Sequence, residues 1–227
     1  MQTAHPDPTP VSQAIEKNNL VIDLDEYDLK ILKRNSPSLL IANQSLEYID
    51  EIVLMQLLEK QGIPFRIIGP EKKFDENLRQ HFLSVEFNAL QWEDYIKAVF
   101  KKLKWAKEEG LTVCLVLHFT DKGLDTALRN NILNQLMKAI LKVKMPVVPI
   151  RLKAPFPNFV RPRIGKMMIL KQRKEPYKVS VRIGSPISVE DQEKFPKSGD
   201  FRRYLQSKIY SLGSGLEVKP LFFKSFF

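Results

Sequence analysis

The chain has 227 residues, a formal net charge of +10, 44 % hydrophobic and 27 % charged residues, and one cysteine. That length supports one sizeable buried core and is short for two. The composition is that of a globular protein, no apolar run approaches the roughly 18 residues of a membrane-spanning helix, and a lone cysteine excludes an internal disulfide.

The charge is unevenly placed. From Lys142 to Arg182 there are twelve Lys or Arg against the single acid Glu175, whereas the remainder holds 24 basic and 25 acidic residues. Such a patch suits phosphates of an anionic lipid surface or of nucleic acid, and equally a solvated face with no partner. The opening MQTAHPDPTPVSQ has neither a basic start nor an apolar core, so it does not read as a secretory signal.

In chain order, residues 1–18 are polar and proline-rich and predict a disordered or loosely attached tail. Leu20–Leu24 predicts a short strand, and Glu26–Lys33 a helix broken by Asn35-Ser36-Pro37. Leu39–Ala42 is an apolar run suited to a buried strand. Asn43, Gln44 and Ser45 end it with small polar groups, and an apolar helix follows from Leu46 to Gln61. Gly62 stops that helix, and Pro64–Ile68 predicts the next strand.

Phe74–Gln80 reads as a polar helix or turn and His81–Phe87 as an outer strand. Trp92–Glu109 is strongly amphipathic, with Tyr95, Ile96, Val99, Phe100, Leu103 and Trp105 supplying much of its apolar side. Leu111–Phe119 is the best central strand, apolar on both faces, and Cys114 within it reads as a buried small hydrophobe in a reducing compartment. A helix follows at Thr126–Lys142 and a strand at Val147–Leu152. Ala154–Arg163 predicts an irregular loop, Lys166–Leu170 and Lys178–Gly184 strands, and Asp200–Leu212 a helix. The regular strand–helix–strand order predicts one α/β domain over residues 19–213, with a mostly parallel sheet flanked by helices and an aromatic extension at 214–227. No repeat, zinc-ligand spacing, glycine-rich phosphate loop or dinucleotide fingerprint is present.

Several stretches resemble the glycerolipid acyltransferases, the membrane-surface enzymes that acylate glycerol phosphate and lysophospholipids. Leu39–Ala42, the polar turn and Asp50 resemble the first box of that family. Phe82-Leu83-Ser84-Val85-Glu86 occupies the place of the second box, and Phe119-Thr120-Asp121-Lys122 that of the third. Val148-Pro149-Ile150 resembles the fourth. Lys178-Val179-Ser180-Val181-Arg182-Ile183-Gly184-Ser185-Pro186-Ile187 is similar to a later strand and turn. The resemblance covers about Leu39 to Ile187, and implies a glycerol-phosphate acyltransferase-like fold.

The sequence departs from the family at its catalytic side chains. A His five residues before the Asp is the family's base, and here that position is Ser45. The Arg that grips the acceptor phosphate is replaced by Glu86, with Arg79 nearby. Acyl transfer needs a base near neutral pKa beside the acceptor hydroxyl, and losing one typically costs about 10²–10⁴-fold. Asp50 as orienting carboxylate, His118 as substitute base, and Ser45 as nucleophile with His118 and Asp50 or Asp121 are the candidate catalytic groups. His81 reads as surface.

Candidate substrate contacts are Asn43, Arg79, Lys122 and Arg151. Candidate membrane or anion contacts are Lys153, Arg161, Arg163, Lys166, Phe156 and Phe159, with Phe222 and Phe223 in the terminus.

The resemblance therefore implies a protein at the cytoplasmic membrane surface that handles lipid or lysophospholipid. It would have no resident cofactor or metal, and coenzyme A or acyl carrier protein would bring the acyl group. Transfer chemistry is weakened or lost in this reading. The alternative is a non-catalytic lipid-binding or regulatory partner of an intact acyltransferase. A third reading, nucleic-acid binding through residues 142–182, lacks a recognition motif.

Overall fold

The computed structural model describes residues 8–45, 48–117, 125–154 and 176–214. Seven strands form one sheet: β1 (Leu20–Leu24), β2 (Leu39–Asn43), β3 (Phe65–Gly69), β4 (Phe82–Ser84), β5 (Thr112–Leu117), β6 (Val147–Lys153) and β7 (Tyr177–Ile183). Their order is β1-β7-β6-β2-β5-β3-β4. β2 to β6 run one way; β7 lies antiparallel to β6 and carries β1 parallel beside it. The mostly parallel α/β sheet expected from the strand–helix order is the one observed.

Alternation along the strands divides the core. Leu39 and Ile41 of β2 and Val113, Leu115 and Leu117 of β5 face helices α5 (Trp92–Glu108), α6 (Thr126–Val143) and α8 (Ser198–Ser211). Leu40, Ala42, Cys114 and Val116 face α1 (Pro10–Lys17), α2 (Glu26–Arg34) and α3 (Ile49–Lys60) on the other side. Helices thus cover both faces, and the central strands lose every solvated position, which is why they are apolar throughout.

The loose tail expected over residues 1–18 is corrected for its described part. Pro10–Lys17 is a helix, with Thr9 capping it through the Ser12 amide and Pro10 in the first turn. Its cause lies in α3, where every residue from Ile49 to Leu58 is buried. A helix buried all round needs a cover on its outer side. Fully buried Val11 and Ala14 join that core, and Thr9 Oγ1 donates to Glu59 Oε2 at 2.7 Å.

Other boundaries move modestly. The stretch before β4 splits into a 3-10 turn at Glu71–Lys73 and a one-turn helix α4 (Glu76–Arg79), and the outer strand shrinks to three residues. A short helix α7 (Val189–Glu193), capped by Ser188, was not expected from the sequence. The strand expected at 166–170 lies outside the described residues.

Two of the stretches that carry the acyltransferase resemblance meet in space. The Gly184 amide donates to the Pro149 carbonyl at 2.8 Å. A Cβ at Gly184 would stand 2.7 Å from Pro149 Cγ, so the close approach of the two strands requires glycine.

Candidate functional site

The parallel strands β2 to β6 all end at one edge of the sheet, the edge where α/β folds place their ligands. There the turn from β2 into α3 is tightly fastened. Asn43, buried, donates from Nδ2 to the Leu152 carbonyl at 2.9 Å and accepts from the Leu152 amide at 2.8 Å. The Ser45 amide donates to Asp50 Oδ2 at 2.6 Å, and Ser45 Oγ accepts from the Ala154 amide at 3.2 Å. Asp50 is completely buried. These residues tie the β2–α3 turn to itself and to the end of β6.

Beside this turn, at the ends of β3, β4 and β5, opens a cavity of about 450 Å³. Its apolar walls come from Ile68, Val85, Leu115 and Leu117 and from Ile132, Leu133 and Leu136 of α6. Lys72 and Lys73 follow β3 at its rim, Arg129 enters from α6, and Glu86 and Tyr95 complete the polar lining. Glu86 is ion-paired with Lys72 at 2.7 Å, so its charge is balanced at the rim. A volume in this range, with apolar walls and a few convergent polar groups, describes a small-molecule site.

Of the two acids among the described lining residues, the buried one is Glu51 of α3, only 6 % exposed. Its Oε2 has no hydrogen-bond partner among the described residues. Burial, followed by repulsion from Asp50, pushes its carboxyl from the ordinary 4.5 up to about 8, against a hydrogen bond from its own backbone amide and attraction from Lys73. That shift favours the neutral acid at neutral pH. It escaped the sequence reading because the family spacing directs attention to Asp50. The available signal was an acid inside a helix with almost no polar face.

The expected site residues separate into three groups. Asn43, Ser45 and Asp50 stand together at the turn but do not line the cavity. Arg79 lies at the opposite end of β4 and donates to the Phe74 carbonyl at 3.0 Å, remote from the cavity. Arg151 donates from Nη1 to the carbonyls of Tyr210 and Leu212, at 2.5 and 2.7 Å, and so holds the end of α8. Lys153 is exposed at the end of β6. His118, Asp121, Lys122, Phe156, Phe159, Arg161, Arg163 and Lys166, with Phe222 and Phe223, lie outside the described residues. His81 is half-buried and stacks on Phe65 with ring centroids 5.1 Å apart.

Among the described residues no group of three or more His, Cys, Asp or Glu could hold a metal, and no helix is long and apolar enough to cross a membrane. Cys114 is fully buried, and burial pushes its thiol well above the usual range, so it is not a reactive thiol. Fold and site together define a three-layer α/β protein with an apolar-walled, cation-rimmed cavity at the strand ends. Comparison of the chain with protein-family models, with curated proteins and with solved structures found no match.

Proposed function

We propose that this chain is a glycerolipid acyltransferase-like protein that handles a monoacyl lipid at the cytoplasmic membrane surface. The observation that carries the reading is the 450 Å³ cavity, whose walls suit an acyl chain and whose Lys73, beside the Lys72–Glu86 pair, suits an anionic head. The basic residues from Lys142 to Arg182 supply attraction to anionic lipid, at about 1 kcal/mol for each one near the surface. Transfer from a coenzyme A or carrier-protein thioester is slow or absent in this reading, since Ser45 stands where the family has its base.

A second reading, a non-catalytic partner subunit, is favoured by the hydrogen bonds of Asn43, Asp50 and Arg151. Each holds backbone in place and does not face the cavity. The two readings share lipid binding and differ in turnover.

Titration calorimetry with 1-lauroyl-lysophosphatidylglycerol, below its micellar concentration, tests the shared part. Binding is expected in the wild type and lost in Leu133→Trp, which fills the cavity. Equal binding by both, or none by either, rejects the lipid reading. A transfer assay with oleoyl-coenzyme A and lysophosphatidate then separates enzyme from partner.

A further inference from the structure

Glu51 has no part in the family resemblance, yet it is the buried acid among the described residues of the cavity wall. It comes from the first turn of α3, beneath the end of β5, and its Oε2 lies buried without a hydrogen-bond partner among the described residues. A buried polar atom left unpaired costs about 1–3 kcal/mol, so a ligand that supplied a partner to Oε2 would gain from that contact. The charged groups around it are Asp50 on its own helix, Lys72 and Lys73 after β3, Glu86 after β4 and Arg129 on α6. Tyr95 of α5 and Cys114 of β5 complete the titratable set.

We propose that Glu51, through the O–H of its unpaired oxygen in the cavity wall, donates a hydrogen bond to the acyl carbonyl of the cavity's ligand, so that the ligand binds together with a proton. The inference rests on the monoacyl-lipid reading and specifies the polar contact within it. A neutral acid offers an O–H to a carbonyl oxygen, which can only accept. An ionised Glu51 offers no donor there and would instead favour an ammonium head. The cavity thereby discriminates an ester or thioester lipid from a long-chain amine.

The test is calorimetry of 1-lauroyl-lysophosphatidylglycerol, whose phosphodiester does not titrate between pH 6.5 and 9, run in buffers of different ionisation enthalpy. Because the free Glu51 carboxyl titrates at about 8, half a proton per ligand should be taken up at pH 8, and affinity should fall about tenfold from pH 6.5 to 9. Glu51→Gln retains an N–H donor; it should bind at every pH with no proton uptake. Dodecylamine should bind the wild type weakly at pH 6.5.

Lysolipid binding without proton uptake overturns the inference and leaves the lipid reading standing, as does loss of binding in Glu51→Gln with its fold intact by circular dichroism. Tighter binding of dodecylamine than of lysolipid at pH 6.5 also overturns it. Absence of lysolipid binding at every pH overturns both.

Discussion

The backbone amide of Ser45 donates to Oδ2 of Asp50 across 2.6 Å, closing the turn between β2 and α3 from inside the protein. The hydroxyl of Ser45 accepts from the Ala154 amide, so the hydrogen bonds described for this pair fasten the turn. Asp50→Asn keeps an oxygen for the Ser45 amide and should cost under about 1.5 kcal/mol. Asp50→Ala leaves that amide short of a partner and should cost about 1–3 kcal/mol. Urea unfolding of the two variants checks the difference.

Asn43 joins β2 to β6 by side chain where backbone pairing stops. Its amide satisfies both the N–H and the carbonyl of Leu152. Asn43→Ala strands two backbone groups and should lower stability by at least about 2 kcal/mol. A loss below about 0.5 kcal/mol in chemical unfolding would contradict this assignment.

The helix at Pro10–Lys17 is part of the core. Removing residues 1–18 uncovers α3 and should collapse the melting transition or cause aggregation. Val11→Ala, at a fully buried position, should cost about 1–3 kcal/mol. Differential scanning calorimetry of the three proteins distinguishes these outcomes.

Glu51 also makes stability depend on pH. Its native carboxyl titrates at about 8 and its unfolded one near 4.5, so between those values the native state holds a proton that the unfolded chain has released. Stability therefore falls as pH rises through this window and is level beyond it, by at most on the order of 5 kcal/mol. Glu51→Gln removes the effect. The variant and wild type should melt together near pH 4 and diverge toward pH 9, with the variant the more stable. Parallel melting curves at both pH values would sink the assignment.

Much of the fold was legible because the central strands and long helices obey strict local patterns. Leu111–Phe119 reads as a buried strand from its apolar run alone, and Trp92–Glu109 as a helix from its stripe. The helix at Pro10–Lys17 was not legible from its own polar, proline-rich letters. Its cause is the lack of a polar face on α3, a tertiary demand expressed some forty residues away. Arg151 suggested a substrate contact because guanidinium groups often serve there, but the end of α8 folds back to present two carbonyls to it. Cations near the last turn of a helix are favoured by its exposed carbonyls. Glu51 drew no notice among the residues of the helix expected at Leu46–Gln61, and only the stacking of α3 beneath β5 turns it inward.

The reversal of direction between β6 and β7 has a bearing on how lipid would arrive. Lys153 pairs opposite Ser180, so the chain departs after β6 and returns into β7 at one rim of the sheet, the rim where the cavity opens. Lys153 stands exposed at that rim. Under the proposed lipid reading, an anionic surface drawn to it would meet the protein on the side where the cavity opens.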